Sequence, residues 1–331
     1  MAASTSPSLS LDVHLGAEDL RAELERDVKS GLGGARKSLP PKWFYDTVGS
    51  KLFEEITELP EYYPTRAERA LLELHAADIA VLARSDTLVE LGAGSCEKTR
   101  LLLDALAASG EVRRYVPFDV SADFLKASAA ELSRDYEGLQ VHAVVGDFLC
   151  HLDTIPGAGR RLVAFLGGTV GNLVPTQRRR FLAALRGSMG PSDHLLLGTD
   201  LVKDVARILA AYDDAAGVTA RFNRNVLSVV NRELDADFIP SRFDHVVRWD
   251  PYARWVEMHL RSDRDQLVHI GALGLTVPFA RDEELLTEIS AKFTPAGVEA
   301  EMVRAGFTVD RQWGAEDGEF LLTLAHPHTR R

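Results

Sequence analysis

Glycines and carboxylates stand at the predicted ends of three successive strands. The segment VELGAGSCEKTR, residues 89–100, has the pattern of a strand, a turn containing Gly92 and Gly94, and a helix. Glycines in such a turn let the backbone approach a ligand closely, and the free N–H groups of the next helix suit an anionic group. Asp119 ends the next predicted strand, and Asp147 ends the one after it. This spacing predicts a site for a nucleoside-like ligand.

The two aspartates match separate parts of a nucleoside. Asp119 can accept hydrogen bonds from two ribose hydroxyls. Asp147 can accept one from an adenine amino group, while the ring of Phe148 lies against the base. Each aspartate could instead cap the helix that follows it. Glycines or aspartates at the ends of three successive strands favour a ligand site over separate helix caps. The adenosine and amino-acid parts of S-adenosylmethionine (SAM) fit this pattern.

Other ligand classes lack their characteristic residues in this chain. Ser95 and Cys96 follow Gly94, so the third glycine of the dinucleotide fingerprint is missing and a dehydrogenase is disfavoured. The sequence has no GK[ST] loop for a nucleoside triphosphate. Its ten histidines are never paired at the spacing of metal ligands, so we expect no metal.

The elements that position these residues alternate between strands and helices. From residue 66 to Val202, helical segments such as EKTRLLLDALAAS separate strand segments such as RRYVPFDVS. This alternation predicts an α/β fold with a doubly wound parallel sheet, which binds ligands outside the carboxyl ends of its strands. Residues 203–291 break the alternation and predict an inserted mixed α+β unit. A helix and a hairpin with its turn at Asp317 and Gly318 then complete the sheet.

The amino-acid composition limits the kinds of molecule that the protein is expected to bind. The 331 residues carry a formal charge of −11, which argues against nucleic acid and against anionic membranes. Two cysteines fit a reducing cytosol, and no apolar run approaches the roughly 18 residues of a membrane span. The N-terminus lacks the pattern of a signal peptide, and we expect a flexible tail over residues 1–15. We therefore expect a cytoplasmic monomer that acts on a small molecule.

An aromatic segment precedes the alternating region. Residues 37–68, KSLPPKWFYDTVGSKLFEEITELPEYYPTRAE, combine six aromatic side chains with four prolines. Such a segment either wraps the core or forms a pocket wall, and composition alone favours the wrap.

This segment, together with VELGAGSCEKTR, closely resembles the histidine-specific SAM-dependent methyltransferases of ergothioneine biosynthesis. The likeness continues through FLGGTVGNL, GTDLVKD, YDDAAGVTARFNRNVL and TEISAKF, over about residues 20–325. It implies a Rossmann-like class I fold and three methyl transfers from SAM to the α-amino nitrogen of L-histidine, giving hercynine. It also implies a methyltransferase domain over 67–201 and 292–331, and a histidine-binding domain over 16–66 and 202–291.

The resemblance also assigns site residues. The family's cofactor contacts fall on Tyr45, Gly92, Lys98, Asp119, Asp147 and Phe148. Its histidine contacts fall on Tyr62, Asn172, Tyr212, Met258, Glu288 and Ser290, with Phe53, Gly167 and Thr169 as neighbouring pocket positions. Lys98 would reach the SAM carboxylate. Cys96 departs from the family pattern, in which a small polar residue is expected.

The implied substrate contacts are chemically reasonable. Asn172 and Tyr212 can donate hydrogen bonds to the substrate carboxylate. Glu288 can accept from one imidazole nitrogen while Ser290 serves the other, and the alternation of TEIS puts both on one face of an extended segment. Tyr62 is the catalytic candidate, because its hydroxyl can orient the amine. Without the resemblance, Glu288 would be taken as an exposed carboxylate.

Two other functions remain open at this point. The acceptor could be another amino acid or a small amine, and Ala variants of Glu288 and Ser290 would discriminate that case. The chain could also be a binding or regulatory protein without activity, which a test for methyl addition to histidine would decide.

Overall fold

The computed structural model describes residues 9–94, 96–110, 112–157 and 159–328. The chain divides into two compact units, because residues after Val202 leave the first unit and return to it at Lys292. The first unit comprises Met1–Leu15, Pro64–Val202 and Lys292–Arg331, and the second comprises Gly16–Tyr63 and Lys203–Ala291.

Strands and helices are named in chain order. The strands are β1 (Leu9–Val13), β2 (Lys37–Ser38), β3 (Thr87–Leu91), β4 (Arg114–Asp119), β5 (Gln140–Val145), β6 (Arg161–Phe165), β7 (His194–Asp200), β8 (Phe243–Asp250), β9 (Trp255–Ser262), β10 (Gln266–Ile270), β11 (Leu275–Phe279), β12 (Glu284–Ala291), β13 (Phe307–Gly314) and β14 (Phe320–Pro327). The helices are α1 (Ala17–Leu32), α2 (Thr47–Thr57), α3 (Tyr63–Ala83), α4 (Glu97–Ala108), α5 (Ala122–Asp135), α6 (Pro175–Ser188), α7 (Val205–Tyr212), α8 (Val218–Leu234) and α9 (Pro295–Arg304).

An eight-stranded sheet forms the centre of the first unit. Its order is β1-β5-β4-β3-β6-β7-β14-β13, and β14 runs in the direction opposite to the other seven strands. All five residues of β3 are buried, as expected for a strand inside a parallel sheet. The order reverses direction between β3 and β6, which is the switch point at which such sheets bind ligands. The prediction of a doubly wound α/β sheet is therefore confirmed.

The expected flexible tail over residues 1–15 is wrong for Leu9–Val13. This segment pairs in parallel with β5, from Leu9 opposite Val141 to Val13 opposite Val145. Four of its five residues are exposed, so backbone hydrogen bonds to the sheet edge hold it rather than apolar burial. Residues 1–8 of the expected tail lie outside the described residues.

The second unit contains two smaller sheets. One has the order β2-β12-β9-β8, and the other is the hairpin β10-β11. Helix α8 contacts β8 and β9, and the core there includes Phe44, Val226, Phe243 and Leu260. The turn DPYAR, residues 250–254, joins β8 to β9, and Asp250 Oδ1 accepts from the backbone N–H groups of Tyr252 and Ala253. Within the described ranges, no helix is long and apolar enough to cross a membrane.

Candidate functional site

The turn after β3 has the backbone that its glycines permit. Gly92 and Gly94 have φ values of +72° and +53°, in the left-handed region that favours glycine. The N–H of Gly94 donates to Asp119 Oδ2 at 3.2 Å, and the N–H of Ser121 donates to Oδ1 at 3.0 Å. Burial raises the pKa of Asp119, and these backbone donors oppose that rise. The structure thus brings the predicted turn and the predicted ribose-binding carboxylate together.

The end of β5 holds the second predicted carboxylate. Asp147 is buried, and its Oδ1 accepts from the N–H of Leu149 at 2.8 Å. Its own N–H donates to His151 Nδ1 at 3.1 Å, so this ring nitrogen is unprotonated. The Phe148 ring is half-buried, with its centroid 5.1 Å from that of Phe165. Neighbouring contacts therefore hold both the carboxylate and the ring in place.

Lys98 forms an ion pair with a residue that the sequence did not single out. Its ammonium contacts the carboxylate of Glu68 on α3, which is completely buried. Both oxygens of Glu68 also accept from the N–H of Gly167 at 2.9 Å. Glu68 lies in TRAERALLEL, a helical segment in which a glutamate would be expected to be exposed. The one signal that could have identified it is its position at the end of segment 37–68, which carries the family resemblance. Glu68 thus links the start of α4 to the turn after β6.

A second buried carboxylate lies beneath the glycine turn. Glu90 accepts hydrogen bonds from the hydroxyls of Thr99 and Tyr115, the latter at 2.8 Å. Burial raises the pKa of Glu90 to about 7. Cys96 contacts the same tyrosine hydroxyl at 3.3 Å, and burial raises the pKa of its thiol to about 12. The thiol that departs from the family pattern is therefore protonated near neutral pH, which lowers its reactivity.

The turn after β6 holds three predicted substrate-side positions. Gly167 has a φ of +75°, and Thr169 donates from Oγ1 to the carbonyl of Leu166 at 3.0 Å. A short 3₁₀ helix over Thr169–Asn172 follows, and Asn172 is half-buried at its end. Because β6 is parallel to β3, this turn lies at the same edge of the sheet as Gly92.

Aromatic rings of the second unit form a continuous series. The ring centroids of Tyr45 and Phe53 are 5.6 Å apart, and those of Phe53 and Tyr62 are 6.2 Å apart. The Tyr62 ring lies 6.3 Å from that of Tyr212 in an edge arrangement. Phe222 on α8 packs against Tyr45 at 5.5 Å. The aromatic segment is thus partly a core wrap, and it also brings four predicted site residues into one cluster.

A β-bulge places the predicted imidazole contacts on the interior face of β12. The pairing with β9 shifts between Leu286 and Glu288, so Thr287 is an extra residue. After the bulge, Glu288 lies opposite Met258, and Ser290 lies two residues further on. Met258, Glu288 and Ser290 are all buried. The hydroxyl of Tyr212 is 2.7 Å from Ser290 Oγ, so these predicted substrate contacts meet.

The predicted residues fall into two groups. The first unit contains Gly92, Lys98, Asp119, Asp147, Phe148, Gly167, Thr169 and Asn172, and the second contains Tyr45, Phe53, Tyr62, Tyr212, Met258, Glu288 and Ser290. Tyr45, predicted to contact the cofactor, therefore belongs to the second unit, and Asn172, predicted to contact the substrate, belongs to the first.

One cluster in the described part of the chain has the composition of a metal site. Ligand atoms of His194, Asp310 and His326 lie within 4.8 Å of one another. His194 Nε2 is 3.8 Å from Asp310 Oδ2, and its Nδ1 is buried without a hydrogen-bond partner among the described residues. A metal-bound imidazole normally donates its other N–H to an acceptor, so this arrangement does not fit a metal ligand. We assign no metal to the cluster.

Comparison with known proteins covers nearly the whole chain. Residues 24–327 match a family described as histidine-specific, SAM-dependent methyltransferases. A histidine N-alpha-methyltransferase of Mycobacterium tuberculosis is 57% identical over 312 residues, which are 94% of this chain and 97% of that protein. One from Mycolicibacterium smegmatis is 53% identical over 96% of this chain and 99% of its own length. Ergothioneine biosynthesis protein 1 of Neurospora crassa is 32% identical over 59% of this chain and 23% of its own length.

Proposed function

Because the chain belongs to the histidine-specific, SAM-dependent methyltransferases, we propose that it transfers three methyl groups from SAM to the α-amino nitrogen of L-histidine. The product is hercynine, and the reaction is the first step of ergothioneine biosynthesis. The observation that supports this most is the 57% identity to a histidine N-alpha-methyltransferase, which extends over both units.

Residues of the first unit bind SAM in this proposal. The carboxylate of Asp119, already oriented by two backbone N–H groups, accepts from the ribose hydroxyls. Asp147 accepts from the adenine amino group, with Phe148 against the base. The ammonium of Lys98 binds the carboxylate of SAM, and Glu68 holds that ammonium in place from the protein side. Tyr45 of the second unit adds a contact to the cofactor.

Histidine recognition is assigned to buried polar groups. Glu288 accepts a hydrogen bond from one imidazole nitrogen, Ser290 forms a hydrogen bond with the other, and Met258 contacts the ring. Asn172 and Tyr212 donate to the substrate carboxylate, with Phe53, Gly167 and Thr169 as neighbouring positions. A wrong amino acid would leave buried groups unpaired, at a cost of about 1–3 kcal/mol for each. This cost selects for histidine.

The reaction requires alignment more than a strong base. An α-amino group has a pKa of about 8 at a peptide N-terminus, and the adjacent carboxylate of a free amino acid raises it further, so the reactive neutral fraction increases toward mildly alkaline pH. The nitrogen lone pair attacks the methyl carbon in line, the carbon–sulfur bond breaks, and the sulfonium becomes a neutral thioether. Tyr62 orients the amine through its hydroxyl, and each of the first two products loses a proton before the next transfer. The rings of Tyr45, Phe53 and Tyr62 stabilise the growing positive charge by cation–π attraction.

Mass spectrometry tests the proposal directly. Purified protein with SAM and L-histidine is expected to give products heavier by one, two and three methyl groups, with the last accumulating. Glu288→Ala is expected to lose about tenfold or more in histidine affinity, since it removes a buried acceptor. Glu299→Ala, an exposed position on α9, is the matched control and retains wild-type affinity. If histidine gains no mass between neutral and mildly alkaline pH, the proposal is wrong.

The proposal includes a cytoplasmic monomer that requires neither nucleic acid nor membrane. The low cysteine count of two and the charge of −11 support this view. Light scattering on the purified protein tests the monomer, which has a mass of 36.4 kDa. A mass of twice that value at micromolar concentration would contradict it.

A further inference from the structure

A chain of hydrogen bonds, buried at Asn223 and Thr287 and half-buried at His245, runs between Tyr212 and Thr287 in the second unit. His245 Nε2 is 2.8 Å from the carbonyl oxygen of Tyr212, so Nε2 carries the proton and donates. Its Nδ1 is 2.8 Å from Asn223 Nδ2 and accepts from it. The Oδ1 of the same amide accepts from Thr287 Oγ1 at 2.6 Å. Two side chains thus connect the C-terminal residue of α7 to the bulge in β12.

The orientation of each group in this chain is fixed by its partners. Asn223 is completely buried, and its second amide N–H donates to the carbonyl of His259 at 3.1 Å. Reversing the amide would place its oxygen against that carbonyl and against the unprotonated Nδ1 of His245. Acceptors would then face acceptors in a buried site, so only the observed arrangement is stable.

The chain of contacts closes on itself. Thr287 is the extra residue of the bulge, and its hydroxyl also lies 2.9 Å from the carbonyl oxygen of Met258. The strand then passes through Glu288 to Ser290, whose Oγ contacts the hydroxyl of Tyr212. The circuit therefore begins at the backbone of Tyr212 and returns to the side chain of the same residue.

We propose that Asn223, His245 and Thr287 are positioning residues that set the selectivity of the site for histidine. This inference rests on the proposed function. They act by fixing the groups assigned to the substrate, Tyr212 and the pair Glu288 and Ser290, without touching the substrate themselves.

The bulge makes this role specific. A one-residue change of register moves every later side chain of a strand to its opposite face. Without the extra residue at 287, Glu288 would lie opposite Glu257 instead of Met258. Because neighbouring residues of β9 point to opposite faces, Glu288 and Ser290 would then face the other side of the sheet. The hydroxyl of Thr287 stabilises the bulge through Asn223, so it governs which face presents the imidazole contacts. Recognition by hydrogen bonds demands positions correct to about half an ångström.

The experiment compares two substitutions of the bulge residue. Thr287→Val has nearly the same shape and removes the hydroxyl, whereas Thr287→Ser retains it. We expect Thr287→Val to raise the KM for histidine about tenfold, which matches one lost buried hydrogen bond. We also expect its preference for histidine over tryptophan, measured as a ratio of kcat/KM values, to fall by a similar factor. Thr287→Ser should stay within about threefold of wild type on both measures.

Controls separate a positioning role from general damage. The Kd for SAM, which the first unit is proposed to bind, should stay within about twofold of wild type in both variants. Thr276→Val is the matched control, because Thr276 also bonds a histidine, the exposed His269, in the same unit. It should leave the KM for histidine unchanged. Circular dichroism and a thermal melt establish that each variant is folded.

Several results would overturn the inference. A folded Thr287→Val with wild-type KM and selectivity would do so, and so would equal losses in Thr287→Val and Thr287→Ser. If Thr287→Val does not fold, His245→Gln provides the same comparison, because it removes the imidazole that joins Asn223 to Tyr212. Wild-type KM and selectivity in a folded His245→Gln would then refute the inference. A wild-type protein that does not methylate histidine contradicts the proposed function instead.

Discussion

The buried carboxyl of Glu90 makes a specific contribution to the pH dependence of stability. Its pKa is raised by burial from 4.5 to about 7, although the hydroxyls of Thr99 and Tyr115 donate to it and oppose the rise. Between these two pH values the folded protein binds more protons at this position than the unfolded chain does. The free energy of unfolding therefore falls as the pH increases through this range.

The size of the effect follows from the same values. A rise in pKa from 4.5 to about 7 corresponds to about 3 kcal/mol. This contribution is fully present below pH 4.5 and is lost by the time the pH exceeds about 7. Glu90→Gln removes the titration and keeps an oxygen that can accept from the neighbouring hydroxyls.

The assay is urea unfolding of wild type and Glu90→Gln from pH 4.5 to pH 8. Contributions from other titrating groups cancel in the difference between the two proteins. We expect the free energy of unfolding of wild type to fall relative to the variant by about 3 kcal/mol across this range. Glu299→Gln, at an exposed position, should show no such change. Parallel curves for wild type and Glu90→Gln, or a difference of opposite sign, would refute the reasoning.

Three further substitutions test other buried features. Lys98→Met should lower the free energy of unfolding, measured by urea titration, by about 3–5 kcal/mol, because it removes the cation that pairs with the buried carboxylate of Glu68. The double variant Lys98→Met with Glu68→Gln should recover most of that loss. Gly49→Ala should cost roughly 1–3 kcal/mol by the same measurement, since a Cβ there would lie 1.6 Å from a backbone oxygen. Asp193→Ala should lower the melting temperature, because it removes the partner of the buried guanidinium of Arg161 at 2.5 Å; an unchanged temperature would contradict this account.

Local sequence patterns predicted the central sheet because its inner strands, such as β3 and β6, are buried on both faces. Such strands appear as continuous apolar runs, and glycine or aspartate marks the carboxyl end of each. Strand β1 was missed because LSLDV is mostly exposed and stabilised by backbone pairing, which leaves little trace in side-chain hydrophobicity. The glycines and aspartates at the ends of the inner strands were therefore easier to place than the strand at the edge.

Local sequence patterns also predicted only part of the candidate site. Alternation in TEIS correctly put Glu288 and Ser290 on one face, but it could not say which face. That choice depends on the bulge at Thr287 and on Asn223, which lies 64 positions away in the sequence. Glu68 was missed for a related reason, since its burial depends on Lys98 and on the turn after β6 rather than on its own helix. Local patterns identify such residues only when their partners are also near in sequence.

The position of the insertion also has a consequence for synthesis of the protein. Strand β7 pairs with β14, and Asp200 lies opposite Phe320, so about 120 residues must leave the ribosome before that edge is covered. The second unit contains its own core and is complete at Ala291, before β14 exists. During this interval the hydrogen-bonding groups of β7 form an open edge that another nascent chain could pair with. Slow synthesis of the residues between Asp200 and Phe320 would therefore lower the yield of native protein, because it prolongs the exposure of that edge.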